Sequence, residues 1–196
     1  MITRLRRSIA CTHGQSIVEF AIVMPLVMIL ALGVIEVSYA LLHQHVVTKL
    51  TREGSNLISR DTSLQDAAAA MQNMSTTPVS FDNGSTLIFS VIKDVATIGA
   101  NNFGKPVLYQ RYQFGTLSAQ STLTTLGSGS FGAGPDYEAA NSDNDTRLQI
   151  TNLPPNLITT GGMLYVTEIY TLHPLITPLD RFGITLPSTL YSIAYF

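Results

Sequence analysis

The material for acid–base, nucleophilic or metal chemistry is four histidines, one cysteine and 13 acidic residues. Their spacing assembles none of the common sites. His13 lies in a basic N-terminal stretch, His43 and His45 sit two apart and so face different ways on a helix, and His173 precedes Pro174 where a strand should end. Cys11 stands alone, which excludes an intramolecular disulfide and a thiolate metal cluster. The chain has no Gly-x-Ser-x-Gly elbow, no His-Glu-x-x-His zinc helix and no Walker loop. The expectation is a protein that is not an enzyme and carries no cofactor. One acidic loop, "GPDYEAANSDNDT", offers oxygen ligands from Asp136, Glu138, Asp143 and Asp145, and the alternate carboxylates Asp143 and Asp145 are weak calcium candidates. The ligand order of an EF-hand, with glycine at its sixth place and glutamate at its twelfth, is absent, so a solvated surface loop without metal is expected.

The carboxylate that most needs explaining is Glu19. It lies five residues after Gly14 and immediately before Phe20–Ile35, a stretch without a charged residue. A carboxylate in hydrocarbon costs at least about 2.5 kcal/mol unless it is paired or reaches the interface. Glu36 ends the uncharged stretch, and both carboxylates need partners. Pro25, inside the same run, removes one helical hydrogen bond; it is read either as a hinge or as an ordinary membrane-helix proline.

Three readings fit a basic start followed by an apolar run: a cleaved secretory signal, a plain membrane anchor, or a prepilin-type leader with a retained helix. Ser38 and Ala40 have the small-residue spacing of a signal peptidase site, which would free Leu41. An anchor needs roughly 20 apolar residues to cross about 30 Å of hydrocarbon, and Ile17–Leu42 supplies that only by including Glu19 and Glu36. Arg4, Arg6 and Arg7 precede the run, which places residues 1–14 in the cytoplasm and the long C-terminal part outside. The remainder is acidic and lacks a basic patch with interleaved aromatics, so nucleic acid is not an expected partner.

The stretch "GQSIVEF", Gly14 to Phe20, has the prepilin-peptidase pattern of a glycine, four residues, then glutamate and an aromatic residue. It resembles the TadE-like pseudopilins of the Tad (tight adherence) pilus system. The continuation is similar to that family's helix: Pro25 interrupts it, Gly33 and Glu36 fall on its acidic step, and Arg52, Glu53 and Gly54 on its "REGA" box, with Ser55 in place of the alanine. The resemblance implies a bacterial inner-membrane protein cut between Gly14 and Gln15 by a prepilin peptidase. It also implies that Glu19, beside Phe20, pairs with the new amino group of Gln15 on a neighbouring subunit. Implied partners are other pilins or pseudopilins and the inner-membrane assembly platform. The related TadG-type proteins can carry a metal-binding domain, but "DTSLQ" has Gln65 where its last serine is required.

The elements that would position these residues are legible in outline. Val46, Leu50, Gly54 and Leu57, with Val47 and Ile58, recur at helical spacing, so the membrane helix is expected to continue, with an exposed Lys49–Glu53 pair on it. Ser63 and Asp66 form a capping box for a second helix ended near Pro78. Four strands are expected: Ser85–Ala96, with Leu87, Phe89, Val91 and Val95 on one face, then Val107–Gly115, Met163–Leu172 and Thr189–Phe196, and Arg147–Asn152 as a fifth, short one. The fold class is α+β: a long N-terminal transmembrane helix continuing into a pilin-like domain with an antiparallel sheet. The divisions are residues 1–14 as leader, 15–42 as membrane helix and 43–196 as an extracytoplasmic domain. The rival reading is a secreted or anchored surface domain that binds a ligand through the acidic Gly/Ser-rich loop.

Overall fold

The computed structural model describes residues 12–183 and 187–196. The leader residues Arg4, Arg6, Arg7 and Cys11 lie outside the described residues. Among the described residues are helix α1 (Thr12–Ile58), helix α2 (Leu64–Met74) and strands β1 (Ser85–Asp94), β2 (Pro106–Gly115), β3 (Met163–Leu172) and β4 (Thr189–Tyr195). The strands form one antiparallel sheet in the order β2-β1-β3-β4. The chain divides into two compact units, Met1–Tyr39 with Leu175–Leu186, and Ala40–Pro174 with Pro187–Phe196.

In the second unit the sheet is covered on both faces. Leu87, Phe89 and Val91 of β1 pack with Val47, Leu50 and Ile58 of α1 and with Leu64, Ala67, Ala68 and Met71 of α2. Ile92, Val107, Leu108, Leu164 and Val166 meet Leu123, Leu148 and Ile150 from the long β2–β3 connection. Each such side chain contributes roughly 1.5–3 kcal/mol when fully removed from water. Central strand β1 is therefore buried on both faces along most of its length, polar Thr86 and Ser90 included. Val95 belongs to the second cluster rather than with Leu87, Phe89 and Val91. Alternation fails there because β1 ends at Asp94, and Val95 has left the pleat.

Ser63 caps α2: its Oγ accepts from the Asp66 amide at 3.1 Å and donates to Asp66 Oδ2 at 2.7 Å. Asp66 thus acts through its own carboxylate rather than through the reach-back to the cap amide of a full capping box. Lys49–Glu53 is not among the ion pairs of the described residues. Long exposed side chains gain too little in water to hold one geometry.

Gly54 is where α1 approaches the sheet most tightly. A Cβ there would stand 2.8 Å from Thr167 Cγ2 and 3.2 Å from Phe89 Cε1. The next residue, Ser55, donates from Oγ to the Ala194 carbonyl at 3.0 Å and ties α1 to β4. The "REGS" box is thus a helix-on-sheet joint. Replacing Gly54 with valine should destabilise the chain by about 1–3 kcal/mol through overpacking, read as a lowered unfolding midpoint of the full chain in detergent. At the end of β2, Gly115 has φ 129°, and a Cβ would lie 2.3 Å from the Ser85 carbonyl oxygen, so no other residue fits this corner without backbone movement.

The connection from 116 to 162 contains the acidic loop 134–146, which is mostly exposed, and is tied to the sheet. Its segments bridge to β2 and to each other at Val107–Gln149, Gln110–Glu138, Thr125–Ile150 and Phe131–Ala139. A β-bulge, at which the β1 pairing jumps from Gln110 to Leu108, leaves Tyr109 opposite no residue of β1, and its carbonyl accepts the Ala139 amide at 2.7 Å. The stretch read as a fifth strand is instead a 3-10 turn, Thr146–Leu148, followed by bridge residues. Asp145 caps that turn by accepting from the Arg147 amide, which starts a turn where extended pairing was expected.

Candidate functional site

From Ser16 to Met28, α1 is exposed on all sides, and from there to Leu42 it turns apolar side chains outward on all but the face of Ile29, Leu32, Gly33, Glu36 and Ala40. Phe20 is 64 % exposed, Leu26 60 %, Val34 68 % and Leu41 66 %. No soluble protein face needs such a belt, and α1 is long and apolar enough to cross a membrane. Gly14 and Gln15 lie in its first turns, and Glu19 is exposed near its start. The helix continues through Pro25, and Gly33 has open space where a Cβ would project.

Glu36 behaves differently from its neighbours. It is wholly buried, with Ile35 and Val37 on either side about half exposed. Its Oε1 accepts the Ile176 amide at 3.1 Å, and its Oε2 accepts the Thr177 amide at 2.9 Å and the Thr177 hydroxyl at 2.7 Å. Thr177 in turn is the N-cap residue of the 3-10 turn Pro178–Phe182. The sequence showed that Glu36 needs partners; it could not show that they come from a segment 140 residues away.

In the second unit, α1 and the end of β3 meet at a histidine pair. His43 and His173 hold their Nδ1 atoms 3.1 Å apart with rings at 87°. His173 is 2 % exposed, and its Nε2 has no hydrogen-bond partner among the described residues. His43 is half-buried and His45 exposed, in keeping with their different directions on the helix. Burial first, and the neighbouring His173 second, hold the His43 imidazole below its ordinary 6.5. One Nδ1 must donate and the other accept, so protonating both rings removes the bond. A histidine whose folded value is depressed favours the folded state fully above the unfolded value and progressively less as pH falls towards the folded one. The unfolding midpoint should therefore drop as pH falls below 6.5, and His43→Gln should flatten that dependence.

A polar cluster lies on the loop-covered face of the sheet. Glu168 of β3 is wholly buried. It accepts from the Thr122 amide at 2.8 Å, the Thr122 hydroxyl at 2.7 Å, the Tyr191 hydroxyl at 3.2 Å and the Ser121 hydroxyl. Arg111 of β2 donates to Ser121 Oγ at 3.1 Å and Ser90 Oγ at 3.3 Å, which places its charge one hydroxyl from Glu168. Burial lowers the guanidinium's proton affinity and the Glu168 charge opposes that. Burial, then Glu168, pushes the Tyr170 phenol up to about 12. The carboxylate is fully spoken for by hydrogen bonds that pin residues 121–122 to the sheet, which is a structural task. A cleft of about 590 Å³ opens beside it, lined by Arg111, Gln113, Ser121, Thr124 and Phe131 among others.

The weak calcium candidates are engaged by the protein. Asp143 accepts from Lys93 Nζ at 3.1 Å and the Thr97 hydroxyl at 2.7 Å, and these two bonds hold its carboxyl below the usual range. Asp145 accepts from Arg147 Nε at 2.9 Å and Nη2 at 2.8 Å. Among the described residues no group of three or more His, Cys, Asp or Glu is placed to hold a metal ion.

These features define a class: a chain with one N-terminal helix that fits a single-pass membrane protein, joined to an α+β domain built on a four-stranded antiparallel sheet. Residues 14–56 match the family model described as TadE-like protein. The stretch that makes the N-terminal helix and the joint at Gly54 is thus similar to a TadE-like protein, and the match supports a component associated with Tad pili. No curated protein and no solved structure matches the chain.

Proposed function

We propose that the protein is a minor pseudopilin-like subunit of a Tad pilus system, acting by helix packing and subunit contacts without chemistry of its own. It is made in the bacterial inner membrane with residues 1–14 cytoplasmic, helix 15–42 in the bilayer and 43–196 outside. A prepilin peptidase cuts between Gly14 and Gln15, recognising Glu19 and Phe20. The helix then enters a bundle with other pilins or pseudopilins at the assembly platform, with Pro25 as its hinge. The observation that carries this reading is the apolar belt of α1, exposed over most of its surface and coinciding with the TadE-like match. A helix of that kind packs equally well against lipid and against other such helices.

The test is deletion and complementation in the source bacterium, with pili counted by electron microscopy. Deletion should remove pili or reduce their number at least several-fold, and the wild-type chain should restore them. Unchanged piliation in the deletion strain would overturn the proposal.

A further inference from the structure

Glu36 lies within the apolar belt, not at its end. Tyr39, Leu41 and Leu42 follow it with exposures of 44–66 %. Glu19 and Glu36 are 17 residues apart, about 25 Å along a helix against about 30 Å of hydrocarbon. If Glu19 sits at one headgroup layer, Glu36 falls near the far boundary of the hydrocarbon. The segment held by Glu36 must lie at the same depth, because the hydrogen bonds are direct.

That segment is unusual for such a place. Leu175, Ile176 and Thr177 are not helical, and non-helical backbone at membrane depth carries amide groups that hydrocarbon cannot satisfy, each costing several kcal/mol. Glu36 answers that difficulty: its two oxygens take the consecutive amides of Ile176 and Thr177 and the Thr177 hydroxyl. The exposed side chains of 175–179 are apolar, Ile176 at 54 % exposure and Pro178, while Leu179 is buried and the next residues, Asp180 and Arg181, are exposed. An apolar residue at the level of the belt, followed by two charged residues, has the order of a segment that dips into an interface and leaves it.

We infer that residues 175–179 form an interfacial dip into the outer leaflet, with lipid as the occupant around Ile176 and Glu36 as the positioning residue that satisfies the dip's backbone. The dip gives the membrane protein a second contact with the bilayer, 140 residues beyond Glu36 in sequence. It rests on the membrane reading of α1, and the test separates the two.

The full chain with Cys11→Ser is labelled with an environment-sensitive fluorophore at single cysteines replacing Leu26, Ile176 or Ser128, and reconstituted in phosphatidylcholine–phosphatidylglycerol vesicles. Quenching by lipid-borne nitroxide and by aqueous iodide is then measured. The inference predicts lipid quenching at Ile176 several-fold above Ser128 and approaching Leu26. In Glu36→Leu the Ile176 label should fall to the Ser128 level while Leu26 is unchanged. Lipid quenching at Leu26 with iodide quenching at Ile176 would overturn the dip and leave the membrane helix standing. A label at Ile176 shielded from both quenchers would show a protein partner there and overturn the lipid assignment. Leu26 open to iodide would overturn both, and an Ile176 label that stays in lipid in Glu36→Leu would overturn the role of Glu36.

Discussion

Replacing Glu168 with alanine is expected to destabilise the sheet-containing unit by about 3–5 kcal/mol, the usual cost of removing one partner from a buried charged cluster. The substitution strands the Thr122 amide, the Ser121 and Thr122 hydroxyls and the Tyr191 hydroxyl, and leaves Arg111 without the carboxylate that offsets its burial. Glu168→Gln keeps the shape and one carbonyl acceptor and should cost less than half as much, because neutral acceptors hold these donors more weakly. Chemical denaturation of the full chain in detergent reads both. The same denaturation should show residues 121–122 becoming accessible to proteolysis in Glu168→Ala first, since their tether to β3 is gone. Equal, small losses for both variants would mean that the cluster is a solvated surface network.

The second large effect is expected at Glu19. Glu19→Ala should leave membrane insertion intact, because it removes a charge costly to hold in hydrocarbon, and should reduce pilus number by at least an order of magnitude. The reasoning is electrostatic: an amine freed at Gln15 and a carboxylate one helical turn away favour pairing between neighbouring subunits in a low-dielectric bundle. Glu19→Asp, which keeps the charge on a shorter stem, should recover part of the assembly. Counting pili by electron microscopy, with membrane fractionation as the insertion control, gives the result. Normal piliation in Glu19→Ala would remove the pairing from the account.

Much of the fold is legible in the chain because its signals are local. β3 begins and ends where its branched and aromatic run does, at Met163 and Leu172, and Ser63 marks the start of α2. What was not legible depends on groups that meet only after folding. His43 and His173 pair across 130 residues, and Glu36 reaches Thr177 across 141. Neither partner carries a local signal. The acidic loop 134–146 suggested solvent and is mostly exposed, but Leu123, Leu148 and Ile150 on either side of it are spaced too irregularly to announce a buried face, and their burial follows from what β1 and β2 leave uncovered. Asp143 looks like a cation ligand in sequence because its own cation, Lys93, is supplied by the fold, whereas Asp145 pairs with Arg147 only two residues on. Of the candidate site, the apolar belt and its TadE-like motif were readable. The anchoring of Glu36 was not.

The central claim is that the helix is a processed assembly element and not a plain anchor or a cleaved signal. Mass spectrometry of the N-terminal peptide of the membrane-extracted protein, from cells with and without a prepilin peptidase, tests it most directly. The account predicts a chain beginning at Gln15 when the peptidase is present and an unprocessed N-terminus when it is absent. A start at Leu41, or the same unprocessed N-terminus in both strains, would contradict it.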